Sequence, residues 1–148
     1  MRRVIVPILI LLLVAGSALL PGQGAFDIYD SVIRLHVLAN SDSEEDQNLK
    51  LAVRDAVLGE MEHLLTDCQS LPQAADTLQG AQEHLRQTAE QTLLDAGCHD
   101  PVTVLLGKES YPTRNYGDVT LPAGTYTSLR ILIGNGEGQN WWCVLFPP

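Results

Sequence analysis

Three carboxylates at alternate positions, Asp42, Glu44 and Asp46, are the first residues of this sequence whose spacing suits chemistry. Alternating oxygen ligands of this kind begin the calcium-binding loop of an EF-hand. The later positions of that loop do not match, because Gln47 stands where its turn glycine belongs and Val53 where its bidentate glutamate belongs. Acidic residues also suit the first turn of a helix, where the helix dipole favours negative charge. We therefore expect helix capping here and no metal site.

The nucleophiles and histidines of the chain form no familiar catalytic motif. There is no GxSxG sequence, and the four histidines lack the HExxH spacing of zinc proteases. Cys143 follows Trp142 in an apolar segment, where a thiol is usually a small buried side chain. His36 would meet Cys143 only across a sheet, and its place in a strand favours an exposed or half-buried ring. The sequence therefore favours a protein that is not an enzyme, with no cofactor and no small-molecule substrate.

The cysteines raise a separate question of disulfide pairing. An exported protein with only Cys68, Cys98 and Cys143 can form at most one internal disulfide. Cys68 and Cys98 each follow a predicted helix. If the two helices form a hairpin, these residues lie at opposite ends, about 35–40 Å apart at the helical rise per residue. The spacing predicts no particular bridge, and the disulfide state stays open.

The charges of the chain divide it into a basic leader and an acidic body. The 148 residues include 9 Lys+Arg and 18 Asp+Glu, for a formal net charge of −9, and 45% are hydrophobic. The first 24 residues contain Arg2 and Arg3 and no acidic residue, so the leader carries +2 and the remainder −11. An acidic body disfavours nucleic acid as a partner, because binding to phosphates depends on Lys and Arg.

The leader has the layout of a secretory signal. Two arginines precede an uncharged 17-residue stretch from Val4 to Leu20, and small residues follow around 21–25. As a helix this stretch spans roughly 25 Å, slightly less than a hydrocarbon core of about 30 Å. We expect residues 1–24 to be a signal peptide cut before Ala25, or an uncleaved N-terminal membrane anchor. The body, residues 25–148, is then one exported domain.

The pattern of the body predicts an α+β fold. Period-two alternation predicts a strand over Ser31–Ala39, with Arg34 and His36 on the side opposite its apolar residues. Two helices follow, one from about residue 44 to 66–68, the other capped by Ser70 and ended by Gly97. Four further strands are predicted over residues 102–106, 111–116, 126–133 and 141–146. This order suits helices packed on one face of a mixed sheet.

Polar and aromatic residues are concentrated in three segments, residues 34–42, 111–117 and 140–143. These segments also carry most of a resemblance to a known family. The motifs, in chain order, are RLHVLANSDS (34–43), DQ (46–47), VRD (53–55), YPTRNYG (111–117), LPAG (121–124), LRI (129–131) and GQNWWCVLFPP (138–148). Together they resemble the stage II sporulation protein R family, from the leader to the last residue. The second helix matches in pattern only.

The resemblance implies a signalling protein of endospore-forming bacteria that is made in the forespore and exported into the space between the two membranes. There it is expected to activate a membrane-embedded aspartic protease of the mother cell, which processes a sigma factor precursor. Members of this family usually continue past the Pro147–Pro148 pair, often with another cysteine nearby. The resemblance therefore also raises the expectation of a truncated copy that lacks a partner for Cys143.

Eight residues are candidates for contacting such a partner. They are Arg34, His36, Asn40, Asp42, Arg54, Asp55, Trp141 and Trp142. Adjacent tryptophans in a strand face opposite sides of its sheet, so one can anchor an interface while the other enters the core. Alternatively, both cover the two faces of the sheet, and Arg34, Asp42 and Asp55 form a structural network at the end of the first strand.

Two other functions are compatible with the residues. A secreted hydrolase acting on the cell wall would use the carboxylates from Asp42 to Asp46. A structural module tethered to the membrane would keep its leader uncut.

Overall fold

The computed structural model describes residues 28–147, and the predicted leader lies outside the described residues. The helices and strands, in chain order, are β1 Ile33–Leu38, α1 Glu44–Leu65, α2 Leu71–Asp95, β2 Val102–Tyr111, β3 Arg114–Tyr116, β4 Val119–Leu121, β5 Gly124–Ile133 and β6 Asn140–Phe146. The predicted α+β class is confirmed over this range. No helix within residues 28–147 combines the length and the apolar character that crossing a bilayer requires.

Both helices begin and end where local signals place them. The Ser43 side chain accepts a hydrogen bond from the backbone N–H of Asp46 and caps α1. Ser70 caps α2 in the same way through the N–H of Gln73, with a proline in the first turn. Gly97 has a φ of +80° just beyond the end of α2, a conformation that glycine adopts without steric cost.

Four strands form one mixed sheet in the order β2-β5-β1-β6. β1 is parallel to β5 and antiparallel to β6, while β5 is antiparallel to β2. The predicted strand over 111–116 is wrong as a single strand, because Tyr111 ends β2 and Pro112 separates it from β3. β3 then pairs with β4 in a separate two-stranded hairpin. Three of the later strands thus join β1, and two form this hairpin.

The helices cover one face of the sheet, as expected. Ile33, Leu35 and Val37 of β1 are 0% exposed and belong to the main core. The apolar stripes of α1 and α2 complete that core, with Val57 and Leu85 at its centre, both also 0% exposed. The alternate residues of each strand therefore lie on the other face of the sheet, which the helices do not cover.

Candidate functional site

The face of the sheet opposite the helices, called here the open face, carries most of the polar and aromatic side chains of the strands. Strand pairing sets Arg34 beside Ser128 and His36 beside Arg130 and Trp142, and paired residues share a face. The open face thus includes Arg34, His36, Glu109, Tyr111, Tyr126, Ser128, Arg130, Asn140 and Trp142. Of the four candidates on β1 and β6, Arg34, His36 and Trp142 meet here, and Trp141 lies on the other face.

Arg34 is the centre of this face and is 0% exposed. Its guanidinium carbon lies 3.8 Å from the centroid of the Tyr111 ring and 5.1 Å from that of Tyr126. At this distance the ring quadrupoles attract the charge, so the rings stabilise a buried cation. Its Nη2 donates a hydrogen bond of 2.6 Å to the Tyr116 hydroxyl. No carboxylate of the described residues pairs with Arg34, and its Nε and Nη1 have no hydrogen-bond partner there.

The β3–β4 hairpin and the turn at residues 28–31 cover the Arg34 half of the open face. Tyr116 and Leu121 of the hairpin pack in a second apolar cluster together with Tyr111 and Tyr126. Tyr29 donates a hydrogen bond to the Ala123 carbonyl and packs so closely on Gly124 that a Cβ there would lie 2.2 Å from its ring. Because Gly124 has no side chain, the turn at residues 28–31 packs directly against the edge of this second apolar cluster.

His36 lies beside Arg34 in a continuous hydrogen-bond network. Its Nδ1 is 2.9 Å from Glu109 Oε1, and its Nε2 is 2.8 Å from Asn140 Oδ1. Ser128 donates to the other oxygen of Glu109 at 2.9 Å, and the Tyr111 hydroxyl lies 2.6 Å from Ser128 Oγ. The expectation of an exposed or half-buried His36 is wrong. The residue is 8% exposed, since the rings of Tyr111 and Trp142 pack against it.

The network stabilises the ionised form of Glu109. Burial raises the pKa of this carboxyl, but hydrogen bonds from Tyr111, Ser128 and His36 together outweigh it, so the pKa is lowered overall. Burial is also the main reason that the pKa of Tyr111 is raised. The open face therefore contains an ionised carboxylate, a neutral tyrosine and the Arg34 cation, and Arg34 and Tyr111 are buried beneath the hairpin.

The imagined pairing of Cys143 with His36 does not occur. Cys143 is paired with Leu35 and packs against the main core, on the helix side of the sheet. Burial raises the pKa of its thiol to about 11. All three cysteines are free. With the thiol on one face and the imidazole on the other, these residues cannot act together as nucleophile and base.

Asn40 and Asp42 lie elsewhere, in the loop between β1 and α1. Asn40 accepts a hydrogen bond from the backbone N–H of Asn135 and donates to Asp46 at 3.0 Å. Asp42 accepts from the N–H of Gln139 at 2.8 Å. A hydrogen bond from Ser41 is the main reason that the pKa of Asp46 is lowered. Asp42 thus ties the loop to the β5–β6 turn, and Asp46 holds Asn40 and Ser41 within the loop.

Arg54, Asp55 and Trp141 form a third group on the helix side of β6. Arg54 donates to Asp55 Oδ1 at 2.7 Å, and its guanidinium carbon lies 4.9 Å from the Trp141 ring centroid. The suggested network of Arg34, Asp42 and Asp55 is therefore wrong. The hydrogen bonds of those residues go to Tyr116, to the backbone of Gln139 and to Arg54.

On β2 and β5, five residues of the open face were not among the candidates from the sequence, namely Glu109, Tyr111, Tyr126, Ser128 and Arg130. The alternation of side chains along β2 and β5 indicates on which side of its strand each of these residues lies. That signal does not say which strand lies next to β1. The pairing of Arg34 with Ser128 follows from the strand order β2-β5-β1-β6, which is set by the packing of the whole domain.

Comparison with known proteins identifies the family. The family model described as stage II sporulation protein R matches residues 29–148. The stage II sporulation protein R of Bacillus subtilis (strain 168) is 42% identical over 121 residues, which cover 82% of this chain and 54% of that protein. The chain thus spans about half the length of this curated relative. No solved structure matches it. The match to the family model includes β1, the hairpin and β6, and the two matches together show that this chain belongs to the stage II sporulation protein R family.

Proposed function

We propose that this chain is an exported sporulation signal that activates a membrane-embedded aspartic protease of the mother cell. That protease then processes a sigma factor precursor. The match of residues 29–148 to a family named for sporulation carries this proposal. The matched range includes every helix and strand of the described residues, which supports a sporulation role for the folded domain.

The route of export supports the same proposal. A leader with two arginines and an uncharged stretch precedes an acidic body. This layout is that of a secretory signal or membrane anchor, and the family resemblance implies that the exported protein is made in the forespore and released into, or tethered in, the space between the two membranes. In such a place a folded body acts by binding a receptor and favouring its active state over its inactive state.

The chemistry of the described residues favours a binding role over catalysis. Of the carboxylates from Asp42 to Asp46 that a cell-wall hydrolase would use, Asp42 and Asp46 themselves hold the loop after β1 through hydrogen bonds to Gln139, Asn40 and Ser41. Carboxylates engaged in this way are poorly placed to protonate a glycosidic oxygen or to activate water. We therefore propose that the protein is not an enzyme and needs no cofactor.

Deletion of the gene in a sporulating host tests the signalling proposal. Processing of the sigma factor precursor is followed by immunoblot during sporulation. We expect the precursor to stay unprocessed in the deletion strain and to be processed again when the full chain is restored. A deletion strain that processes the precursor normally would contradict the proposal.

Two matched variants separate export from tethering. A copy without residues 1–24 should fail to restore processing, because it stays in the forespore cytoplasm. A copy whose leader is replaced by an unrelated cleavable signal peptide should restore it if release is sufficient. If only the native leader restores processing, the leader acts as a membrane anchor as well as an export signal.

A further inference from the structure

We propose that the open face of the sheet binds an acidic segment of a polypeptide partner and that Arg34 receives one of its carboxylates. This inference extends the signalling function by naming the chemistry of the partner's contact, and to that extent it rests on the proposed function. It also makes a prediction about the isolated protein that can be tested without sporulation.

The first argument is the distribution of paired and unpaired arginines. Arg54 and Arg86, on the two helices, each form an ion pair with a neighbouring carboxylate. Arg34, Arg114 and Arg130 form no ion pair with any residue of the range 28–147. In a chain of net charge −9, unpaired arginines would be expected to attract the abundant carboxylates.

These three arginines lie on the same side of the sheet, Arg34 buried and the other two at least partly exposed. Arg34 and Arg130 lie on neighbouring strands of the open face, and Arg114 belongs to the hairpin that covers it, with its guanidinium carbon 4.0 Å from the Trp142 ring centroid. Glu109, the carboxylate among the open-face residues named above, is engaged by His36 and Ser128. The surface is therefore a cationic area on an otherwise acidic protein, and it complements an acidic segment.

The second argument is a set of buried hydrogen-bond donors without acceptors. Among residues 28–147, the buried side-chain atoms that lack a partner are Arg34 Nε, Arg34 Nη1 and Trp142 Nε1. All three are donors, and both side chains pack on the ring of Tyr111. Buried donors without partners cost free energy, and more so on a charged group. A group made only of acceptors would remove this cost, and a carboxylate is the acceptor that proteins most often offer to arginine.

Movement of the β3–β4 hairpin would give a partner carboxylate access to Arg34. β3 and β4 pair only with each other, so moving them breaks no hydrogen bond of the main sheet. Tyr116 on β3 holds the Arg34 guanidinium through one hydrogen bond to Nη2. A partner carboxylate entering between Tyr116 and Tyr111 would bind the unsatisfied donors of Arg34, while its neighbouring acidic residues contact the exposed Arg114 and the half-buried Arg130.

Binding of two synthetic peptides to the full chain tests the inference. One peptide alternates Glu with Ser and the other alternates Gln with Ser, so they differ in charge alone. The readout is the NMR signals of Arg34 Nε–H and Trp142 Nε1–H, which shift when these donors gain an acceptor. We expect the Glu peptide to shift both signals, with an affinity that falls as salt is raised, and the Gln peptide to shift neither. Equal shifts with both peptides, or none with either, would overturn the inference.

Substitutions localise the binding to this face. Arg34→Gln should weaken binding of the Glu peptide by about tenfold or more, and Arg86→Gln on α2 should leave it unchanged. If Arg34→Gln does not fold, judged by circular dichroism, the double variant Arg114→Gln/Arg130→Gln takes its place and should also weaken binding. Loss of less than twofold in the folded variants would contradict the assignment. Self-association of the chain through this face would contradict it too, and sedimentation reveals such self-association.

The same variants separate this inference from the signalling proposal. If the wild-type chain restores precursor processing and the folded Arg34→Gln variant does not, both stand. If the wild type restores processing and the folded Arg34→Gln variant also does, the signalling function stands and the acidic contact is wrong. If the wild type fails to restore processing, the signalling proposal fails, and the peptide experiment still decides the chemistry of the open face.

Discussion

The Arg34 guanidinium carbon lies 3.8 Å from the centroid of the Tyr111 ring, and the hydroxyl of the same tyrosine is 2.6 Å from Ser128 Oγ. One side chain therefore supports a buried cation with its ring and joins the Glu109 network with its hydroxyl. Because Ser128 also donates to Glu109, the positive and negative groups of the open face are connected through Tyr111. The family resemblance at residues 111–117 includes this residue.

The two roles of Tyr111 are separable by substitution. Tyr111→Phe removes one hydrogen bond and keeps the ring, so it should lower the free energy of unfolding by about 1 kcal/mol. Tyr111→Ala removes the ring beneath Arg34 and leaves a cavity, with an expected loss of about 3–5 kcal/mol. Urea denaturation followed by circular dichroism measures both. Equal losses for the two variants would show that the ring does not support Arg34.

Stability should depend on the charge of Glu109. The pKa of this group is below its ordinary value of 4.5, so its ionised form favours the folded state. This contribution is present above the unfolded-state pKa and is lost as the pH falls through the lower folded-state pKa. We expect Glu109→Gln to be less stable than the wild type by about 1–2 kcal/mol near neutral pH. The difference should shrink below about pH 4.

The control for this experiment is Glu62→Gln, an exposed residue of α1. It should change the free energy of unfolding little at either pH. A Glu109→Gln difference that persists unchanged into acid would mean that the charge of Glu109 is not what stabilises the network. Urea denaturation at a series of pH values provides the comparison.

Gly138 should tolerate no side chain. A Cβ at this position would lie 2.2 Å from the backbone oxygen of Ser41, so the loop after β1 would have to move. We expect Gly138→Ala to lower the free energy of unfolding by about 1–3 kcal/mol. The matched control is Gly80→Ala in the middle of α2, where a Cβ meets nothing within 4 Å. That change should raise stability by about 0.5–1 kcal/mol, because alanine favours helix.

Thermal unfolding of the two glycine variants decides the point. The opposite signs are the specific expectation, since both substitutions add the same methyl group. If Gly138→Ala is as stable as the wild type, the loop after β1 does not pack closely against Gly138 in the β5–β6 turn.

Cys143 should resist alkylation in the folded protein. Burial raises the pKa of its thiol to about 11, so little reactive thiolate is present near neutral pH. We expect iodoacetamide to label Cys143 more slowly than Cys68, and to label all three cysteines in urea. Mass spectrometry of peptides from the labelled protein measures each site. Rapid labelling of folded Cys143 would contradict its placement against the main core.

The parts of the fold that were predicted correctly depend on neighbours in the sequence. The Ser43 hydroxyl caps α1 through the N–H of a residue three positions on, and Gly97 ends α2 with its own backbone conformation. The opposite orientation of Arg34 and Ile33 follows from the period of a strand. Such signals are local, so the order strand, two helices and further strands was predictable from them.

The burial and the partners of the predicted contact residues could not be predicted, because they depend on distant parts of the chain. His36 was placed on the correct face, but its burial depends on Tyr111 and Trp142, and its partner Glu109 is 73 residues away. The separation of Asn40 and Asp42 from Arg34 likewise follows from the loop's contacts with the β5–β6 turn.

The sequence by itself determined the α+β class, the charge division between leader and body, and the motifs that place the chain in its family. Only the tertiary structure decided that Arg34 is a fully buried cation among tyrosine rings, with donors left unsatisfied. The physical reason is that propensity, capping and alternation act between near neighbours. The pairing of Arg34 with Ser128, and its hydrogen bond to Tyr116 82 residues away, depend on strand order and register, which the packing of the whole domain selects.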